Sequence, residues 1–91
     1  MNFYFKFAVL IPKTMELSEF VSAFSSQFEQ TDPSLVIGST DYKNLDEWDS
    51  LIALSVIALA DEQYGVTLTG DDIRNAVTVS DLFERIKALK K

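Results

Sequence analysis

Between positions 50 and 64 the chain reads SLIALSVIALADEQY, and at helical spacing this stretch is apolar on two opposite faces. Ala53, Val56, Ile57, Ala60 and Tyr64 form one stripe, while Leu51, Leu54, Ser55, Ala58 and Glu62 fall on the other. A helix that is apolar nearly all round is either wrapped completely or offers a patch to a partner. A chain of 91 residues buries one modest core and has little room to enclose a helix. The stretch therefore predicts a small helical domain that leaves one apolar face at its surface. Asp49 or Ser50 is placed to cap this helix, and Gly65 to take the left-handed conformation past its end.

The remaining segments follow the same period. Leu17, Phe20, Val21, Phe24 and Phe28 recur at i, i+3, i+4, i+7 and i+11 and predict a first helix. Thr14 is its expected cap, Glu16 and Glu19 suit the positive end of its dipole, and Asp32-Pro33 closes the segment. A long polar connection over residues 31–48 comes next, with Leu35, Val36, Ile37 and Leu45 expected to anchor it on the core and Trp48 to pack just before the second helix. Thr69 and Thr78 each stand three residues before an aspartate, Asp72 and Asp81, which is capping-box spacing. They predict a short third helix over 71–76, with Ile73 and Val77 inward, and a last helix carrying Val79, Leu82, Phe83, Ile86 and Leu89. Lys87, Lys90 and Lys91 suit the negative end of that last helix. The expected fold is all-α: an up-and-down four-helix bundle with a long helix 1–2 loop and a short third helix.

Residues 1–14 do not share this pattern. Residues 3–11, FYFKFAVLI, are aromatic and β-prone, and Pro12 and Lys13 stop the run. The segment lacks the basic start and small-residue cleavage site of a signal peptide. We expect 1–14 to be a loosely attached or non-native extension and 15–91 to be the domain, with Met15 as its start. All fourteen acids and six of the eight basic residues fall after Met15, so the domain is more acidic than the whole.

Composition removes most chemistries. With no histidine and no cysteine there is no thiol nucleophile, imidazole base, zinc finger or disulfide, so catalysis by this chain alone is not expected. A formal charge of −6 disfavours nucleic acid and anionic lipid and suits a basic protein partner. No apolar run approaches the roughly 18–20 residues that span a bilayer. A cytoplasmic monomer without membrane insertion is expected. Asp71 and Asp72 do not fit the EF-hand pattern, so they read as helix-start residues and no metal site is expected.

The sharpest local feature is Leu45-Asp46-Glu47-Trp48-Asp49-Ser50-Leu51, which puts a hydroxyl where the long loop meets an exposed helix start. On physical grounds Ser50 or Asp49 is an N-cap, and spacing alone asks for nothing more. The wider pattern, however, resembles a known family. Asp49-Ser50-Leu51, an apolar helix ending in Asp61-Glu62-Gln63-Tyr64-Gly65-Val66, a short acidic helix and a final Thr78-Val79-Ser80-Asp81-Leu82 helix are together similar to an acyl carrier protein. The likeness covers about Glu16 to Leu89.

The resemblance implies that Ser50 carries a 4'-phosphopantetheine arm taken from coenzyme A, whose thiol holds acyl groups as thioesters. The implied partners are a phosphopantetheinyl transferase, which would supply Mg²⁺ and the base, and the acyl-loading and acyl-processing enzymes of fatty acid, polyketide or related biosynthesis. It also implies docking through helix two, with Asp49, Leu51, Asp61 and Glu62 at matching positions. The chain departs from the family two and five residues after the serine, where acids are common and Ile52 and Ser55 stand here. That weakens the charged footprint and enlarges the apolar patch of Leu51, Leu54 and Ala58. A peptidyl or aminoacyl carrier would use the same arm, and an unmodified helical adaptor would use the patch alone. A serine hydrolase reading stands well behind these, since no base is present to activate Ser50.

Overall fold

The computed structural model describes residues 16–90. The extension at 1–14, the expected cap Thr14, the expected start Met15 and the terminal Lys91 lie outside the described residues. Among the described residues four helices follow in order, α1 (Leu17–Ser25), α2 (Ser50–Tyr64), α3 (Gly70–Asn75) and α4 (Val79–Leu89). Two single 3-10 turns, Pro33–Leu35 and Tyr42–Asn44, punctuate the connection between α1 and α2. Among the described residues there is no β-strand, only an isolated antiparallel bridge between Asp41 and Thr78.

In α1 the predicted period holds: Phe20 and Phe24 are buried, and Leu17 and Val21 pack against the core. The helix stops at Ser25, earlier than the spacing through Phe28 implies. Its last turns explain the difference. Ser25 Oγ donates to the Ser22 carbonyl (2.9 Å) and Ser26 Oγ to that of Ala23 (2.6 Å), while the amides of Gln27 and Phe28 bond only three residues back. Serine hydroxyls competing for helix carbonyls tighten the ladder into 3-10-like turns. Phe28 nevertheless stays buried, its ring 5.7 Å from that of Phe24.

The α2 boundaries are those the sequence predicts. Asp49 is the cap, and Gly65 ends the helix at φ 67°. The ammonium of Lys90 then donates to the Tyr64 carbonyl (2.7 Å), placing a positive charge at the negative helix end. Val56, Leu59, Ala60 and Tyr64 are buried, and Ile52, Ala53 and Ile57 pack beside them. Leu59 belongs to neither of the stripes drawn from the spacing; it sits inward between them.

Both threonine boxes form. Thr69 with Asp72 starts α3, and Thr78 with Asp81 starts α4, each with the reciprocal pair of bonds. Ile73 points inward as expected, but Val77 does not and is 51% exposed. The reason is local: the Asp81 carboxylate accepts the amides of both Val77 and Thr78, turning Val77 outward ahead of the α4 cap, and Ala76 is buried instead. Along α4, Val79, Leu82, Phe83 and Ile86 are buried and Leu89 packs against them.

Two of the four expected loop anchors also point outward. Val36 is buried and Leu45 packs on the core, whereas Leu35 and Ile37 are 60% and 53% exposed. Val36 has extended backbone, in which successive side chains alternate sides, so burying it exposes both neighbours. Thr40 fixes this arrangement, its hydroxyl accepting the Ile37 amide and donating to the Leu35 carbonyl, both at 2.9 Å.

The loop is instead nailed down by Tyr42, which the sequence reading did not select. Its ring is fully buried, and its hydroxyl donates to the carbonyls of Ile73 (2.6 Å) and Ala76 (3.3 Å). Lys43 Nζ donates to those of Arg74 (2.6 Å) and Ala76 (2.5 Å). Together they satisfy the last carbonyls of a six-residue helix that could not stand alone. In return the loop carbonyls of Thr40 and Gly38 accept the first amides of α4, Val79 (3.1 Å) and Ser80 (2.8 Å).

Burial, with the Asp41 and Asp81 carboxylates adding to it, pushes the Tyr42 phenol from its ordinary 10 up to about 12. The unfolded chain ionises first, so this stabilisation is complete below pH 10 and is lost as pH rises through about 12. Tyr42→Phe is expected to lower stability by about 1–2 kcal/mol at neutral pH. It should also flatten the loss of stability between pH 10 and 12; urea titrations across that range read both effects.

Candidate functional site

Ser50 is the first residue of α2 and is exposed. Each of the three residues before it has its own anchor. Asp49 Oδ1 accepts the Ile52 amide (2.9 Å), so the cap of α2 comes from Asp49 and leaves the Ser50 hydroxyl out of that role. The amides of Ser50 and Leu51 precede the first intrahelical acceptor, and they form the positive end of a fifteen-residue helix.

Trp48 is the second anchor. Its ring lies parallel to Phe24 (6.3 Å between centroids, 7° between planes), 4.9 Å from Tyr42 and 6.3 Å from Phe28. This is the structural role expected of it. The third anchor, Glu47, sequence reasoning missed. Its carboxylate accepts the amides of Glu29 (2.8 Å), Gln30 (3.0 Å) and Thr31 (2.9 Å) and the Thr31 hydroxyl (2.7 Å). The Thr31 hydroxyl, together with those three amides, holds the Glu47 carboxyl below the ordinary carboxylate range. No short-range signal marks Glu47, because its partners lie a whole loop away in sequence. A surface concavity of about 600 Å³ opens beside this contact, between residues 30–32 and 44–47.

The expected docking residues Asp49, Leu51, Leu54, Ala58, Asp61 and Glu62 are all exposed. Leu51 and Leu54 are 71% and 62% exposed and stand on one turn, with Ala58 on the next. The outer stripe of α2 is therefore a solvent-facing apolar surface directly downstream of Ser50. Ala58 opens no gap inside the protein, and Ala60 is enclosed by the core.

The charges are arranged with equal consistency. Among the described residues the ion pairs join Asp71 to Arg74, Asp72 to Arg85 and Glu84 to Lys87, all within α3 and α4. Lys43 and Lys90 are engaged by backbone carbonyls. The acids of α2 thus have no cation pairing with them among the described residues. The site as built offers an accessible hydroxyl at a helix start, an adjoining apolar strip and unpaired carboxylates at the far end of the same helix.

Comparison with family models, with curated proteins and with solved structures finds no match for this chain. Asp49→Ala is expected to cost about 1 kcal/mol through loss of the α2 cap, and Asp49→Asn to restore most of it. Urea unfolding of the two variants beside the wild type measures this, and an equal loss in both would assign Asp49 a role other than capping.

Proposed function

We propose that this chain is an acyl carrier protein, with Ser50 as the attachment point of a 4'-phosphopantetheine arm, serving enzymes of fatty acid, polyketide or related biosynthesis. The observation that carries the reading is a serine left exposed as the first residue of α2, while the neighbouring aspartate does the capping. The residues fit the group. A phosphodiester on Ser50 would lie at the first turn of a long helix, where free amides and the dipole favour an anion. The arm, when attached, supplies the thiol that holds an acyl group as a thioester. The chain's own contributions are to display Ser50 and to dock the enzymes that work on the arm.

In the same reading the four helices form the up-and-down bundle of that family, with its long first connection and short third helix, as a cytoplasmic monomer. Asp49, Leu51, Leu54, Ala58, Asp61 and Glu62 form the docking face. The exposed leucines support partners that recognise shape and apolar contact more than charge. They also support the second reading, an unmodified helical adaptor that binds a partner helix through the same face. A peptidyl or aminoacyl carrier differs from the first reading only in the enzymes that load it.

Modification separates the carrier from the adaptor. Incubation with coenzyme A, Mg²⁺ and a broad-specificity phosphopantetheinyl transferase is expected to add one phosphopantetheinyl increment to the intact mass, and none to Ser50→Ala. An unchanged mass with several transferases would leave the adaptor. Docking of the modified chain to a loading enzyme is expected to weaken less than about tenfold between low and physiological salt; a steeper loss would return the recognition to charge.

A further inference from the structure

We propose that Glu47 is a positioning residue for Ser50, holding the start of α2 against the turn that follows α1 in the arrangement that a modifying enzyme meets. The proposal deepens the carrier reading and rests on it. Oε1 of Glu47 accepts the Gln30 and Thr31 amides and the Thr31 hydroxyl, and Oε2 accepts the Glu29 amide. Four donors come close to exhausting what a carboxylate can accept. None of them belongs to α2, which is capped by Asp49 without help from Glu47. All of them belong to the turn that follows α1. The carboxylate therefore ties the end of α1 to a point three residues before Ser50, at the end of a connection whose middle is held by Tyr42 and Lys43.

Trp48 cannot replace this tie. Its ring contacts with Phe24, Phe28 and Tyr42 are apolar and largely non-directional, so they hold the segment against the core without fixing how it faces. Hydrogen bonds to three successive amides do fix it. Releasing Glu47 changes the share of time for which the start of α2, with Ser50 on it, stands in this arrangement against the turn after α1, and leaves the core in place. If that share falls to about a tenth, the apparent KM for the chain rises about tenfold while kcat is unchanged.

The test uses the full chain as wild type, Glu47→Ala, Glu47→Gln and Thr31→Val, with Tyr42→Phe, which keeps the ring beside Trp48 and removes only a hydroxyl bonded to the carbonyls of Ile73 and Ala76, as a stability control. The transferase is assayed at saturating coenzyme A and Mg²⁺ with the chain as varied substrate, beside amide exchange at residues 29–31 and urea midpoints. Glu47→Ala is expected to raise KM about five- to tenfold with kcat within twofold and to speed exchange at 29–31. Thr31→Val, which removes one donor of four, should raise KM less, with Glu47→Gln between the two. KM within twofold of wild type despite faster exchange overturns the positioning role and leaves the carrier reading intact. KM that follows the urea midpoint through every variant, Tyr42→Phe included, makes Glu47 a stability residue and overturns it equally. If the wild-type chain gains no mass, both readings fall together. Should Glu47→Ala fail to fold, Glu47→Gln and Thr31→Val carry the same comparison.

Discussion

Phe20 and Phe24 hold together what the helices cannot hold by themselves. α1 has nine residues and α3 six, both below the length at which an isolated helix persists in water. Phe20 meets Phe83 of α4 at 5.4 Å and Tyr64 of α2 at 6.2 Å, and Phe24 carries the contact on to Tyr42 and Trp48 of the loop. Among the described residues one strip of rings thus reaches α1, α2, α4 and the loop between α1 and α2, and α3 is reached through the Tyr42 hydroxyl. Aromatic side chains bury more area than any others of their number, which suits a core this small. The serine site inherits its footing from this strip, because Trp48 is the strip's last member.

With so little interior, the ends of the helices matter more than usual. Several are closed by a group from elsewhere in the chain, and α3 and α4 each start on a box of their own. Lys90 serves α2, Tyr42 and Lys43 serve α3, and the Gly38 and Thr40 carbonyls serve α4. Asp72 does two tasks at once. It completes the α3 box with one oxygen and accepts Arg85 Nε of α4 with the other (2.7 Å). The Thr69 amide foremost, with Arg85 adding to it, holds its carboxyl below the ordinary range, so its contribution is present above ordinary carboxylate pKa values and lost as pH falls below them. Asp41 is the exception to this economy, for one of its carboxylate oxygens is buried without a hydrogen-bond partner.

What was legible in the sequence was whatever depends on neighbours within a turn or two. The limits of α2, the left-handed Gly65, both threonine boxes and the inner stripe of α4 follow from spacing and capping chemistry, and all are present. The exposure of Leu51, Leu54, Ala58 and Glu62 was legible for the same reason, since helical period alone puts them opposite Val56 and Ala60. Hydrophobicity misled where a loop residue had to be assigned a side. Leu35, Ile37 and Val77 are apolar yet exposed, because Thr40 and Asp81 set the backbone direction at those points. Tyr42 and Glu47 were illegible because their partners lie across the fold, where no local pattern records them.

The seam between the loop and α4 has a kinetic side. The Thr78 box lets α4 begin on its own, but the amides of Val79 and Ser80 find their acceptors only when Gly38 and Thr40 arrive from the connection ahead of α2. Contacts so distant in sequence are entropically expensive to close and pay back late. The Phe20–Phe83 contact of the aromatic strip spans still more of the chain than the seam, so the same cost falls on both, and the Thr78 box alone is within local reach.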